Sequence, residues 1–399
     1  MSVDVNQEKL GWSRRYGVIV FHLLILVALA VVIYYPVLAK PLNNFDDLKW
    51  LADTELRNTF TTIFDPSLVT KNPFASTYYL PLQSALYFGL VKVFGRSPMA
   101  FHAFSIGIHA LASVLIYFLL LTFSKRKTLA FLGGFTFVAY LGHKQSITWT
   151  AAAFSHPLVS VFVLATLLFF YAFLKTNKKV TYFSALAMFI VGLLIRESAV
   201  VLPPLLIVLE LFGLGQVGER EKLSFSISKR DLIQRSYKYI PFFLAIIPIA
   251  LISIRKFQHG SLNERWGGVV SGIYPGLRFL DFSSLLVYPA KLGVSMKLIL
   301  VALLLAIASW IIFNFRKQPL LFFALFWIAV ALAPYTISNF NPALAVTRYL
   351  YPAMIPFCLL LTLVFSKLVE KGKKGEILSY LMFAAIGGAH LFYVLKAMY

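Results

Sequence analysis

Two acidic residues stand side by side at Asp46-Asp47, about ten residues after the first long apolar run. Adjacent carboxylates near a low-dielectric interface do not both ionise easily, so one is suited to take up a proton. On a helix the two point about 100° apart, and one can then face a substrate while the other binds a backbone N–H, a cation or a metal. Two cations complete the pattern: Arg196, beside Glu197 at the end of one apolar run, and Arg348, which opens Arg348-Tyr349-Leu350-Tyr351-Pro352 before another. A guanidinium is a planar, permanently charged fork that matches the oxygens of a phosphate group. The residue types thus offer a carboxylate pair and two fixed cations suited to a phosphate group. Each feature also has a plain structural reading. Asn43-Asn44-Phe45-Asp46-Asp47 can be a solvated helix start with Asn44 or Asp46 as cap, Arg196-Glu197 a turn whose charges snorkel to water, and Arg348 an interfacial anchor in an aromatic belt.

The elements that must position these residues are membrane spans. Of 399 residues, 59% are hydrophobic and only 13% charged, far from globular norms, and apolar runs of about 18 residues recur from end to end. The expected fold is an all-α polytopic membrane bundle. The net charge of +21 does not indicate nucleic acid, because the cations sit in short loops beside apolar runs, where they set topology and anchor headgroups. Arg14-Arg15 before the first run places the N-terminus in the cytoplasm. The reversals then follow the basic loops through Gly17 to Leu38, Pro98 to Phe123, Thr128 to Gly142, His156 to Leu174, Val180 to Ile195, Val200 to Leu214, Ile240 to Ile254, Gly293 to Phe315, Leu320 to Ile337, Tyr349 to Phe365 and Ile377 to Leu395. That makes about eleven spans in a single integral membrane domain covering 1–399. Three external segments remain, at 39–97, 255–292 and 338–348. The first contains Tyr79 to Phe94, short for a span and carrying Pro81, Gln83 and Lys92, which reads as an amphipathic helix lying at the interface; Tyr274 to Tyr288 reads the same way. In this topology Asp46, Asp47, Asp53, Glu55, Asp65, Glu197, Glu264 and Asp281 all fall on the external side.

Several chemistries are disfavoured. The single cysteine, Cys358, lies in an apolar run, so no internal disulfide forms. The seven histidines show no HExxH spacing and there is no CxxC, so no metal site is expected from them. No GxGxxG or Walker pattern supports ATP or a dinucleotide. His102 and His109, seven apart on the second span, share a helical face and are read as supporting residues that satisfy bundle partners, with at least one able to look into a cavity.

The order of these features resembles a known family. The first span, Asp46-Asp47, a long external loop with Tyr79-Leu80-Pro81-Leu82 and Phe94-Gly95, then Phe101-His102 and His109, Arg196-Glu197-Ser198-Ala199-Val200 with Pro203, and Arg348-Tyr349-Leu350-Tyr351-Pro352 together resemble the GT-C glycosyltransferases. The branch they look most like is the transmembrane O-mannosyltransferases that carry tetratricopeptide repeats, and their bacterial relatives. The resemblance runs from Gly17 to Phe365. It implies transfer of a sugar from a polyprenyl-phosphate donor to a hydroxyl acceptor on a protein or glycan, with inversion, at the external face of a bilayer. It further implies Asp46 as base, Asp47 in the accessory catalytic place, Arg196 and Arg348 on the donor phosphate, and Glu197, His102, His109 and Tyr349 in support. No cofactor is required on this reading, although Asp46 and Asp47 leave a divalent metal open through their hard oxygens; metal-free action is favoured because no third carboxylate stands at suitable spacing.

The sequence departs from that pattern at three places: Leu80 stands where an Arg is frequent before the proline, Ser105 where an Asn is frequent between the two histidines, and Gln145 where an acid is frequent four residues before Trp149. No tetratricopeptide tail follows the spans, so an appended acceptor-recognition module is not expected, and the short form fits a bacterial inner membrane. Two other readings stand beside the enzyme: a transporter or flippase of lipid-linked sugar, and a noncatalytic GT-C-like membrane subunit.

Overall fold

The computed structural model describes residues 2–42, 45–56, 59–65, 79–211, 236–257, 317–336 and 347–399, with five further positions between 306 and 314. Most of the expected span Gly293 to Phe315, the helix Tyr274 to Tyr288, Glu264 and Asp281, and nearly all of 255–292 and 338–348 lie outside the residues described. Among the described residues the chain is helical throughout, with no strand. Fifteen α-helices are used below: α1 (Ser2–Tyr34), α2 (Phe45–Leu56), α3 (Phe60–Phe64), α4 (Pro81–Phe94), α5 (Pro98–Ser124), α6 (Lys127–Ala139), α7 (Lys144–Thr148), α8 (Thr150–Ala153), α9 (His156–Thr176), α10 (Lys179–Ile195), α11 (Leu202–Leu211), α12 (Ile240–Phe257), α13 (Pro319–Thr336), α14 (Tyr351–Val369) and α15 (Lys373–Met398).

Five stretches are long and apolar enough to cross a membrane: Tyr16–Ala39, Pro98–Ser124, Thr150–Thr176, Arg348–Val369 and Lys373–Met398. Four shorter apolar helices, Lys127–Ala139, Lys179–Ile195, Tyr237–Ile252 and Pro319–Leu332, lie at other expected spans. Lipid offers no hydrogen bonds, so each apolar stretch satisfies its backbone internally as helix. The protein is an integral membrane protein. Prolines at the first turn of α4, α5, α9 and α14 start those helices, where the missing N–H is not needed. Left-handed residues, Lys125 (φ 57°) and Asn177 (φ 51°), end α5 and α9.

Most of the core is one large apolar cluster joining α1, α5, α6, α9, α10, α13 and α14, beside a small second cluster of Leu129, Phe365, Val369 and Phe383. A side chain on Gly133 would lie 2.6 Å from both Leu120 Cδ1 and Thr362 Oγ1, so glycine lets α6 close on α5 and α14. Two histidines finish the packing. His109 Nδ1 and Tyr351 OH are joined by a hydrogen bond of 2.8 Å, and His102 Nε2 bonds the Lys40 carbonyl at 3.1 Å. The second contact holds the exit of α1 against the start of α5 and so aims the chain into α2.

The largest difference from a plain span-and-turn reading falls between α6 and α9. The run expected to continue to Gly142 stops at Ala139, turns through a 3-10 segment, Leu141–His143, and passes into α7 and α8 before α9 begins. Most of this connection is buried. The reason is polar: its backbone and hydroxyl groups are gripped by side chains from α2 and α4. Helix α11 likewise begins after the start of the run at Val200, because Glu197–Val201 forms a 3-10 turn and Pro203-Pro204 start the helix proper.

Candidate active site

Asp46 and Asp47 occupy the first turn of α2, and the helix sends them in different directions. Asp47 is 2% exposed. Its Oδ1 accepts from the Thr150 hydroxyl at 3.0 Å and from the Ala151 N–H at 2.7 Å, with the Thr150 N–H also contributing. The carboxylate therefore caps α8 from another helix, an anion set against the exposed N–H groups of a helix start. Burial pushes the Asp47 carboxyl above its ordinary value, these hydrogen bonds oppose the rise, and the neighbouring Asp46 adds to it. A second layer locks the arrangement. The Tyr87 and Thr150 hydroxyls are joined at 2.8 Å, Gln83 Nε2 donates to the Ala151 carbonyl at 3.1 Å, and all three side chains are buried.

Asp46 turns the other way. Its Oδ2 accepts from Arg348 Nη1 at 3.0 Å, with the two side chains 38% and 19% exposed. Arg348 is held by more than this pair. Its guanidinium carbon lies 5.2 Å from the Trp149 ring centre and 5.4 Å from that of Tyr349, a favourable contact of cation with aromatic faces. Its main chain, in the 3-10 turn Thr347–Leu350, is pinned on both sides: the N–H donates to Gln145 Oε1 and the carbonyl accepts from Ser146 Oγ, each at 3.4 Å.

Arg196 caps the end of α10 in extended conformation, half-buried, and its Nη1 donates to Ser155 Oγ. Both Arg196 and Arg348 lie within electrostatic reach of buried His156, whose ring meets Tyr349 edge-on at 4.9 Å. The two guanidiniums thus flank the start of α9. Glu197 begins the 3-10 turn after Arg196. A narrow, mainly apolar cleft between α9, α13 and α14 is lined by Val159, Val163, Trp327, Ala331 and Ile355. Ser198 and Pro352 also line it, close in sequence to Arg196 and Arg348.

Asp46 and Arg348 are brought into contact here, and Arg196 joins them through its neighbours Ser155 and His156 at the start of α9. His102 and His109 are tied to the bundle contacts described above. The residues that depart from the family pattern are placed as well: Leu80 is core, Ser105 Oγ returns to the Phe101 carbonyl at 3.0 Å, and Gln145 holds Arg348. Among the described residues no group of three or more His, Cys, Asp or Glu could hold a metal ion. Asp46 is paired with Arg348 and Asp47 with the start of α8. Sequence reasoning missed Thr150, Tyr87, Gln83 and Ser155, because a hydroxyl or amide in an apolar run carries no pattern of its own. Trp149 and Gln145 stood out only through the family comparison.

No family model matches the chain, and no curated protein matches it. A solved structure does. The archaeal oligosaccharyltransferase AglB from Archaeoglobus fulgidus, solved in complex with an inhibitory peptide and a dolichol-phosphate, is similar with a TM-score of 0.54 and 15% identity, over 97% of this chain and 56% of AglB. The fold is GT-C-like. At that identity the likeness concerns the fold, and the chain spans a little over half the length of AglB.

Proposed function

We propose that this protein is a membrane glycosyltransferase that moves a sugar from a polyprenyl-phosphate donor to a hydroxyl acceptor, with Asp46 as general base. The observation that carries this reading is the meeting of Asp46 with Arg348, 302 positions apart in sequence and 3.0 Å apart in space, on a GT-C-like fold. In the step we infer, the acceptor hydroxyl gives its proton to Asp46 as its oxygen bonds to the anomeric carbon of the sugar. The bond from that carbon to the phosphate oxygen breaks on the opposite side, and the lipid phosphate leaves with the electron pair. Attack opposite the leaving group inverts the anomeric centre. Arg348 and Arg196 offset the charge that grows on the phosphate, the kind of fixed electrostatic support that lowers such barriers. Asp47 is too enclosed to meet an acceptor and acts as a positioning residue, holding α2 against the turn that carries Trp149.

AglB was solved with a dolichol-phosphate and a peptide, which supports a lipid-linked donor and keeps peptide hydroxyls among the acceptors to test, together with glycans. The mannosyl preference rests on the sequence resemblance, and the external placement of the site on the charge pattern of the loops.

The test is transfer by the purified full chain in lipid nanodiscs, using labelled polyprenyl-phosphate hexoses. Asp46→Asn should fold normally and lose turnover by about 10²–10⁴-fold, the usual contribution of a general base. Unchanged transfer by that variant would refute the assignment. The same assay separates the other readings: a flippase moves lipid-linked sugar without forming a glycosidic bond, and a noncatalytic subunit binds the lipid without turnover.

A further inference from the structure

The pair that defines the site also poses a problem for it. Arg348 turns Nη1 to Asp46, and although the guanidinium has further N–H donors, a phosphate seated on it competes with the carboxylate for the same positive charge. We propose that Arg348 is a shared cation: it holds Asp46 when the site is empty of donor, and the incoming phosphate displaces the carboxylate, so the base is released only once the leaving group is seated. This inference rests on the reading of the site given under Proposed function.

Four observations carry it. The pair is open on one side, with 38% of the Asp46 side chain and 19% of that of Arg348 exposed, so a ligand can reach both. The pair is part-exposed and made through a single contact, so its hold is modest, on the order of fivefold in an equilibrium, whereas a phosphate offers several charged oxygens to the same fork. The cation is fixed independently of the acid: Trp149 and Tyr349 back its charged head, and Gln145 and Ser146 hold its main chain. Asp46, for its part, sits one residue before the buried and triply bonded Asp47, so after displacement it stays within a side-chain rotation of the phosphate. The exchange orders the reaction, with donor first and proton acceptor second. A base set free before the donor arrives has no role; a base set free by the donor meets the acceptor hydroxyl at the required moment.

The proposal makes Asp46 a competitor of the phosphate, and that sign is measurable. In nanodiscs carrying the full chain, equilibrium binding of farnesyl phosphate is measured for the unaltered protein, Asp46→Asn, Arg348→Gln and the double variant, with farnesol as the uncharged control. Asp46→Asn should bind farnesyl phosphate roughly twofold to fivefold more tightly, Arg348→Gln more weakly, and the double variant like Arg348→Gln alone, with farnesol indifferent to all of them. Asp46→Ser, which also removes the carboxylate, serves if the asparagine variant does not fold. If removing the carboxylate leaves binding unchanged or weakens it while Arg348→Gln still loses affinity, the exchange is wrong and the phosphate seat stands. If the double variant binds more tightly than Arg348→Gln, Asp46 repels the phosphate directly and the shared-cation account fails. If Arg348→Gln binds as well as the unaltered protein, the seat itself is wrong, and the exchange falls with it.

Discussion

Replacing Thr150 by valine should damage this protein far more than its single lost oxygen suggests. Thr150 is fully buried, and its hydroxyl is shared between Asp47 Oδ1 at 3.0 Å and the Tyr87 hydroxyl at 2.8 Å. Valine fills nearly the same volume, so packing is kept and only the hydrogen bonds go. A buried polar group left without its partner costs about 1–3 kcal/mol. Tyr87 bears this most heavily, because its hydroxyl is enclosed; Asp47 keeps the backbone N–H groups of Thr150 and Ala151 and stands at the low end. The expected destabilisation is about 2–4 kcal/mol. Turnover should fall further, because α2 carries Asp46, and displacing a reacting group by even 1 Å can reduce rate about 100-fold. Thr150→Ser keeps the hydroxyl and should restore most of both. Thermal unfolding of the detergent-solubilised protein, followed by intrinsic fluorescence and paired with the transfer assay, measures the two effects. If valine and serine at position 150 unfold together and turn over equally, the hydroxyl does not hold Asp47, and the reasoning that makes Asp47 the keeper of the site is wrong.

Other expectations follow from the same geometry. Because burial raises the Asp47 carboxyl above its ordinary value, the folded protein holds that proton to higher pH than the unfolded chain does. The group's stabilising contribution is therefore complete below the ordinary carboxylate range and declines as pH rises toward the folded value; Asp47→Asn should flatten this part of a stability-against-pH curve, and an unaltered curve would count against the burial account. Arg348→Lys keeps the charge but loses the flat contact with Trp149 and Tyr349 and the fork for phosphate, so the apparent KM for donor should rise by about tenfold with a smaller effect on kcat, measured by steady-state transfer. Gly133→Val should destabilise by about 1–3 kcal/mol through overpacking against Leu120 and Thr362, read as a lower unfolding temperature. By contrast, breaking the exposed Arg96–Glu55 pair with Arg96→Ala should leave unfolding and transfer nearly unchanged.

Much of the fold was legible in one dimension. Apolar runs long enough to span a bilayer must become helices, and the first-turn prolines before α5, α9 and α14 mark where they begin. The helix at Pro81–Phe94 was readable from its apolar run and its proline. The segment Lys144–Ala153 was not, because its burial depends on Asp47, Gln83 and Tyr87 reaching it from elsewhere. For the same reason Asp46-Asp47 reads equally well as a solvated helix cap: the local residues are the same whether or not α8 lies above them, and only the packed structure takes Asp47 out of water. Gln145 illustrates the converse. In sequence it looks like a missing acid; in space its amide oxygen receives the Arg348 N–H.

Hydropathy and the placement of charge therefore determined, from the sequence alone, that this chain is a bundle of membrane helices with a small set of acids and guanidiniums at helix ends. These properties belong to single segments, and solvation acts on each segment independently. Which acid is enclosed and which is presented, and that Asp46 meets Arg348 across most of the chain, were decided by tertiary packing alone, because a contact between segments depends on the relative rotation and depth of two helices, which neither helix encodes by itself.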